Sequence, residues 1–360
     1  KDLEGEIYRK IWYLTQRAKT DIDEAKPKTS KNSSGYLIWD VWDEKTQMFD
    51  LTKLVVGAQG TTGIITEITY GLTPKPKTST MMVSFVKNFE PVPELVEKLL
   101  ETNPDTLEVY DDNTVKFATR FFGDMVADKG LWEVIRFGLR FIPEFFMGVF
   151  GGMPKLIILS EYSGTEAKEV RDMAKAAKKL IRKIKGVRSR AVSSPAEAEK
   201  YWQIRHDSFK LLTEHSQDES SGSRTAPFID DIVIDPKYLP EYLPRLIKIL
   251  DENKLLYTIA GHIGQGNLHV IPIMDFDEPE TKETILRVTS QVYKLVKEFH
   301  GTLTGEHNDG IIRTPYLSMM YGEKIVEIFQ EIKDAFDPLN IFNPGKKVGG
   351  TLKYLEEHIR

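Results

Sequence analysis

Apolar positions along this 360-residue chain follow two periods, one helical and one alternating, and together they predict an α+β protein. From Glu4 to about Ala25, Ile7, Ile11, Trp12 and Leu14 recur at helical spacing, and the polar stretch KPKTSKNSSGY after them predicts a loop. Residues 49–76 predict a helical turn, glycine interruptions, a β-branched strand near Ile64–Tyr70 and a proline exit at Pro74–Pro76, which sets the first domain boundary. Strands are expected at Met81–Val86, Thr106–Val109, Lys155–Ser160, Phe228–Ile234, Leu255–Ala260 and His269–Ile273, with a helix from about Val92. Ser163 with Glu166, and Ser194 with Pro195 and Glu197, read as helix starts in which the serine oxygen accepts backbone N–H groups. Amphipathic helices at Pro279–Phe299 and Glu323–Phe336 close the chain. The pattern divides into residues 1–77, an antiparallel sheet covered by helices at 78–278, and a helical segment at 279–360.

Composition narrows the function classes. With 49 Lys and Arg against 54 Asp and Glu, the net charge of -5 argues against a nucleic-acid binder. The basic run Lys175–Arg190 therefore reads as a solvated face. No cysteine is present, which excludes a disulfide, a thiolate nucleophile and a Cys-ligated iron–sulfur cluster within this chain. The charged first residues and the lack of a long apolar run predict a soluble, cytoplasmic protein. Residues 131–150 carry many aromatics with Arg136 and Arg140, and read as core packing or a partner surface ahead of an interfacial helix. An interfacial helix there would hold the protein peripherally to the inner face of a membrane.

Three segments carry candidate chemistry. Gly57, Gly60 and Gly63 let the backbone approach a flat or anionic ligand, and Thr61 and Thr62 add hydroxyls. A tight helix-to-strand connection with no ligand uses the same glycines. The other two segments, GHIGQGNLH and GEHNDG, hold three of the chain's seven histidines. On one uninterrupted strand, His262 and His269, seven residues apart, would face opposite ways. A reversal at the intervening glycines lets them converge as metal ligands, with Glu306 supplying an oxygen and His307 free to act as a base. Histidines that merely satisfy turns are the plainer alternative. A zinc hydrolase is a second, although no helical HExxH is present.

The full strings carry more than their spacing. VGAQGTTGIITEIT and NSSGY resemble the flavin domain of FAD-linked oxidases of the vanillyl-alcohol-oxidase type. GHIGQGNLH, TGEHNDGIIRTP and FDPLNIFNPGK resemble the C-terminal domain of FAD-linked D-2-hydroxyacid dehydrogenases, the group with D-lactate and D-2-hydroxyglutarate dehydrogenases and glycolate oxidase. APFIDDIVI is similar to the larger members that usually carry an iron–sulfur domain.

The resemblance implies FAD contacts at Gly57, Gly60, Thr61, Gly63, Ile65 and Asn343. It also implies a divalent metal, Zn, Mn or Fe being indistinguishable, on His262, His269 and Glu306, and His307 as catalytic base. Arg205 matches the carboxylate-binding arginine, and Arg224, in a Ser/Gly-rich loop, is a weaker candidate for substrate. Residues 1–77 then correspond to the C-terminal half of a flavin domain, 78–278 to the substrate (cap) domain, and 279–360 to a segment returning to flavin and metal. The expected reaction is oxidation of a small D-2-hydroxyacid to a 2-oxoacid, with electrons passing to an acceptor protein, a subunit or a quinone. No counterpart of the first half of the flavin domain precedes Lys1, so the resemblance implies a fragment or one chain of a split enzyme. A non-catalytic subunit or module of a flavoenzyme complex is the alternative from another class.

Overall fold

A computed structural model describes residues 2–120, 153–192, 194, 197–205 and 223–359. The expectation for residues 131–150 falls outside them. The chain forms two compact units: residues 1–72, 231–233 and 296–360 make the first, and residues 73–230 and 234–295 the second.

The first unit opens with α1 (Leu3–Arg17) and α2 (Lys19–Ala25), followed by a two-stranded hairpin of β1 (Trp42–Asp43) and β2 (Met48–Phe49) and the short α3 (Thr52–Val55). Its α1 buries Ile11 and Leu14, whereas Trp12 stays half exposed and packs edge-on against Trp42 and Phe49.

The second unit holds the large sheet. Its elements are β3 (Thr78–Val86), α4 (Val92–Leu100), β4 (Thr106–Asp111), α5 (Asp112–Arg120), β5 (Leu156–Gly164), α6 (Ala167–Ile181), β6 (Val187–Val192), β7 (Ser223–Thr225), α7 (Leu239–Glu252), β8 (Leu256–His262) and β9 (Asn267–Asp275). The strands run in the order β6-β3-β5-β4-β8-β9-β7, antiparallel throughout. Helix α6 packs on β3, β5 and β6, with α4 beside it and α7 beside α4. On the sheet, Met81, Val83, Phe85, Tyr110, Ile157 and Leu159 cluster with Tyr201 and Ile204. Met82, Ser84 and Val86, which alternate with them, are buried as well, so β3 is covered on both faces from Met81 onward.

After α8 (Thr281–Glu298) the chain rejoins the first unit, where α9 (Glu323–Phe336) and α10 (Leu352–His358) end it. Ile325, Ile328, Phe329 and Ile332 of α9 pack against Ile11, Leu14 and Ile22 of the N-terminal helices. The Phe329 ring also lies within van der Waals reach of Gly35, at which a Cβ would stand 2.3 Å from it. Glycine in NSSGY is thus a packing requirement, reinforced by its φ of +69°.

The α+β architecture expected from the pattern is the one observed, and three local expectations fail. No strand forms at Ile64–Tyr70: Ile64, Ile65, Ile68, Tyr70 and Leu72 are exposed and no partner strand lies beside them among the described residues. A β-branched run becomes a strand only where another backbone takes its hydrogen bonds. At Phe228–Ile234 only Ile232–Val233 is extended, because Asp231 adopts φ 68° and turns the chain. Ser163 lies in β5, donating its N–H to Asp105, and α6 starts after Glu166 without a side-chain cap. The second serine behaves as expected, Ser194 Oγ accepting from Glu197 N–H at 3.2 Å. Among the described residues no helix is long and apolar enough to cross a membrane.

Candidate functional site

In the second unit, GHIGQGNLH makes the turn from β8 to β9. Gly261 and Gly266 cannot carry a Cβ there, since it would meet the Asn267 carbonyl oxygen at 2.2 Å and the Ile234 carbonyl oxygen at 1.7 Å. The register pairs Asn267 with His262 and His269 with Ala260. Opposed residues of an antiparallel pair share a face, so His262 and His269 emerge side by side, their ring centroids 5.4 Å apart and the rings near perpendicular.

Each imidazole is backed by a buried carboxylate. The β4–β8 register, Val109 with Gly261 and Tyr110 with Ala260, extends by one step to set Glu108 opposite His262. Glu108 Oε1 lies 2.5 Å from His262 Nδ1, and Asp230 Oδ1 lies 3.0 Å from His269 Nδ1. Arg205 lies in the helical stretch at 197–205, whose Tyr201 and Ile204 pack on the same sheet face as Tyr110. Its Nε stands 3.3 Å from the other Glu108 oxygen. Arg205, His262 and His269 are therefore brought together. Arg224 is not. It sits opposite Met274, five positions beyond His269 on β9, hence on the other face and about 17 Å along the strand. Its guanidinium lies over the Phe276 ring at 5.3 Å.

In the first unit, GEHNDG is wound around Asp231. The Glu306 and His307 N–H groups donate to Asp231 Oδ2 at 2.9 and 2.8 Å, and the Thr304 hydroxyl donates to the same oxygen. The Glu306 and His307 side chains stay exposed, and one ligand atom from each of Asp231, Glu306 and His307 falls within 4.8 Å of the others. Glu306 also pairs with Lys31.

The glycine loop joins this turn and the NPGK segment. Gly310 N–H donates to Gln59 Oε1 at 3.0 Å, and Asn343 Nδ2 donates to the Gln59 carbonyl at 2.7 Å. Gly57, with φ +72°, approaches Asn308 so closely that a Cβ would stand 2.8 Å from Asn308 Oδ1. Gly60 and Gly63 instead border open space, and Ile65 is exposed. Thr61 is fully buried, its hydroxyl engaged with Tyr36 Oη at 2.6 Å and the Ala58 carbonyl at 2.7 Å, so it offers no hydroxyl to a ligand. Burial raises the Tyr36 phenol to about 12, which keeps it protonated and available for that bond.

The chemistry of these donors fits the two groups expected from the sequence. An imidazole with a carboxylate at Nδ1 presents Nε2 to a metal, and the Asp231, Glu306 and His307 donors are hard or borderline ligands of the kind divalent ions take. Exposed apolar side chains beside glycines with open space suit a flat ring system. Glu108, Asp230 and Asp231 escape sequence reasoning because they lie in ordinary strand or turn strings. The doubled aspartate in APFIDDIVI is the one available hint.

Residues 75–347 match the family described as FAD linked oxidases, C-terminal domain. Over 349 residues the chain is 27% identical to a D-2-hydroxyglutarate dehydrogenase of Pantoea ananatis, covering 95% of this chain and 32% of that protein. It is 27% identical to the glycolate oxidase subunit GlcD of Bacillus subtilis, covering 91% of this chain and 61% of that protein. Among solved structures, the 4-ethylphenol oxidase of Gulosibacter chungangensis superposes with a TM-score of 0.53 at 15% identity, over 78% of this chain and 55% of that one. That likeness concerns the fold. The chain spans about a third of the length of the D-2-hydroxyglutarate dehydrogenases it matches.

Proposed function

The chain belongs to the FAD linked oxidases, matching their C-terminal domain, and from that premise we propose that it serves the FAD-dependent oxidation of a small D-2-hydroxyacid to a 2-oxoacid. The observation that carries this reading is Glu108, one buried carboxylate shared by a metal-type histidine and an arginine. A substrate with a carboxylate beside a hydroxyl calls for both. The relatives named for D-2-hydroxyglutarate, glycolate and D-lactate are all named for such acids.

On this reading residues 1–77 serve the flavin, 78–278 the substrate, and 279–360 return to the flavin and the metal. Gly57, Gly60, Gly63, Ile65 and Asn343 hold FAD through backbone and apolar contacts, while Thr61 contributes from within the loop. His262, His269 and Glu306 hold the divalent metal, and Asp231 fixes the turn that carries Glu306. When bound, FAD supplies a two-electron acceptor and the metal lowers the pKa of the substrate hydroxyl.

The chain's own residues do the rest. Arg205 clamps the substrate carboxylate with paired hydrogen bonds, which orients the α-carbon hydrogen. His307 takes the hydroxyl proton as that hydrogen leaves with its electron pair, so the C–O bond becomes a carbonyl. The electrons then leave for an acceptor protein, a subunit or a quinone. Replacing His307 with Ala in the flavin-loaded holoenzyme tests the assignment: flavin reduction should slow by about 10²–10⁴ with flavin and metal retained, and an unchanged rate contradicts it.

A further inference from the structure

We propose that Glu108 is a positioning residue that couples the two recognition elements of the site: it sets the His262 tautomer for metal binding and aims Arg205 at the substrate carboxylate. The inference rests on the preceding reading and adds the device that makes its two halves interdependent.

The geometry is specific. Glu108 is only 7% exposed, and its two oxygens go to different partners, Oε1 to His262 Nδ1 at 2.5 Å and Oε2 to Arg205 Nε at 3.3 Å. The first contact is a hydrogen bond and the second an ion pair. Facing it, the imidazole carries its proton on Nδ1, which makes Nε2 the ligating nitrogen and raises its basicity. The same negative charge offsets the guanidinium and limits its rotation, so Arg205 holds one orientation before substrate arrives. Asp230 backs His269 in the same way at 3.0 Å. Both carboxylates therefore tune metal ligands, while Glu108 is also ion-paired with the arginine.

Glutamine separates these roles because its amide has a single oxygen acceptor and an NH₂ donor. In Glu108→Gln the negative charge facing Arg205 is lost, and a single acceptor oxygen remains for His262 Nδ1–H. Zinc affinity of the full chain, measured by competition with a chromophoric chelator, should fall about 10–100-fold in Glu108→Gln and in Asp230→Asn. Glu108→Asp should recover part of the loss. In the holoenzyme at saturating zinc, Glu108→Gln should also raise KM for the hydroxyacid.

The tautomer can be read without any variant. In the metal-free chain labelled with ¹⁵N-histidine, His262 should carry its proton on Nδ1, and a proton on Nε2 overturns the proposal even if Glu108→Gln fails to fold. Wild-type zinc affinity and KM in a folded Glu108→Gln also overturn it. If the wild-type chain binds no zinc, the metal reading of the preceding subsection fails, while the tautomer still decides the role of Glu108.

Discussion

Lys347→Met should destabilise the first unit by about 4 kcal/mol. Lys347 and Asp309 form an ion pair at 3.0 Å with neither side chain exposed. The ammonium also donates to the carbonyls of Ser33 and Gly35 at 2.8 and 3.0 Å and to Asn308 Oδ1 at 2.9 Å, so one side chain ties together the NSSGY, GEHNDG and NPGK segments. Burial pushes the lysine below its usual range, with Asp309 opposing that shift. Removing one partner of a buried pair costs about 3–5 kcal/mol, because the other charge is left without compensation. Asp309 keeps its bonds from Ser34 Oγ and Gly35 N–H, both at 2.8 Å, which moderates the loss, while the orphaned carbonyls add to it. By contrast the exposed Arg17–Glu331 pair should contribute about 1 kcal/mol or less. Urea denaturation followed by tryptophan fluorescence suits the test, since Trp12, Trp39 and Trp42 all lie in this unit. Lys347→Met combined with Asp309→Asn should recover part of the stability. A loss under about 1 kcal/mol for Lys347→Met alone would refute the argument that this pair holds the three motifs together.

Burial lifts Asp111 from the usual aspartate value of 3.8 to about 7, against the hydrogen bonds it accepts from Thr114. Between those values the folded chain holds a proton that the unfolded chain has released, so this group's contribution to stability falls as pH rises from about 4 to about 7 and is constant above, by up to about 4 kcal/mol. Asp111→Asn should remove that slope, and equal slopes in both proteins, read from denaturation midpoints between pH 5 and 8, would show the shift to be absent. Arg205→Lys should raise KM for the hydroxyacid at least tenfold by losing the bidentate clamp, whereas Arg224→Ala should leave it within about twofold; the reverse order in steady-state kinetics would move the substrate carboxylate to the other face of the sheet.

The turn between His262 and His269 was readable in advance because its glycines announce the reversal, and the backbone there tolerates nothing larger. The helix at Glu323–Phe336 was readable for a similar reason, a sustained apolar face with no competing signal. What stayed hidden were partners supplied from a distance. Glu108 reaches His262 across 154 positions, and TLEVYD gives no sign that one of its side chains is a site carboxylate. Thr61 shows the same limit: nothing beside it in the sequence announces that its hydroxyl is taken up by Tyr36 and the Ala58 carbonyl. Ile64–Tyr70 has the composition of a strand, but strand formation depends on a second backbone, which composition cannot supply.

The central claim is that His307 removes the substrate's hydroxyl proton at a site where metal and flavin meet a 2-hydroxyacid. Its most direct test is anaerobic rapid mixing of the metal- and flavin-loaded holoenzyme with D-lactate, glycolate or D-2-hydroxyglutarate, following flavin absorbance in wild type and His307→Ala. The account predicts that at least one acid bleaches the wild-type flavin and yields its 2-oxoacid, and that His307→Ala, with flavin and metal still bound, does so about 10²–10⁴ times more slowly. Equal bleaching rates in the two proteins, or no bleaching of the wild type by any of the three acids, would contradict it.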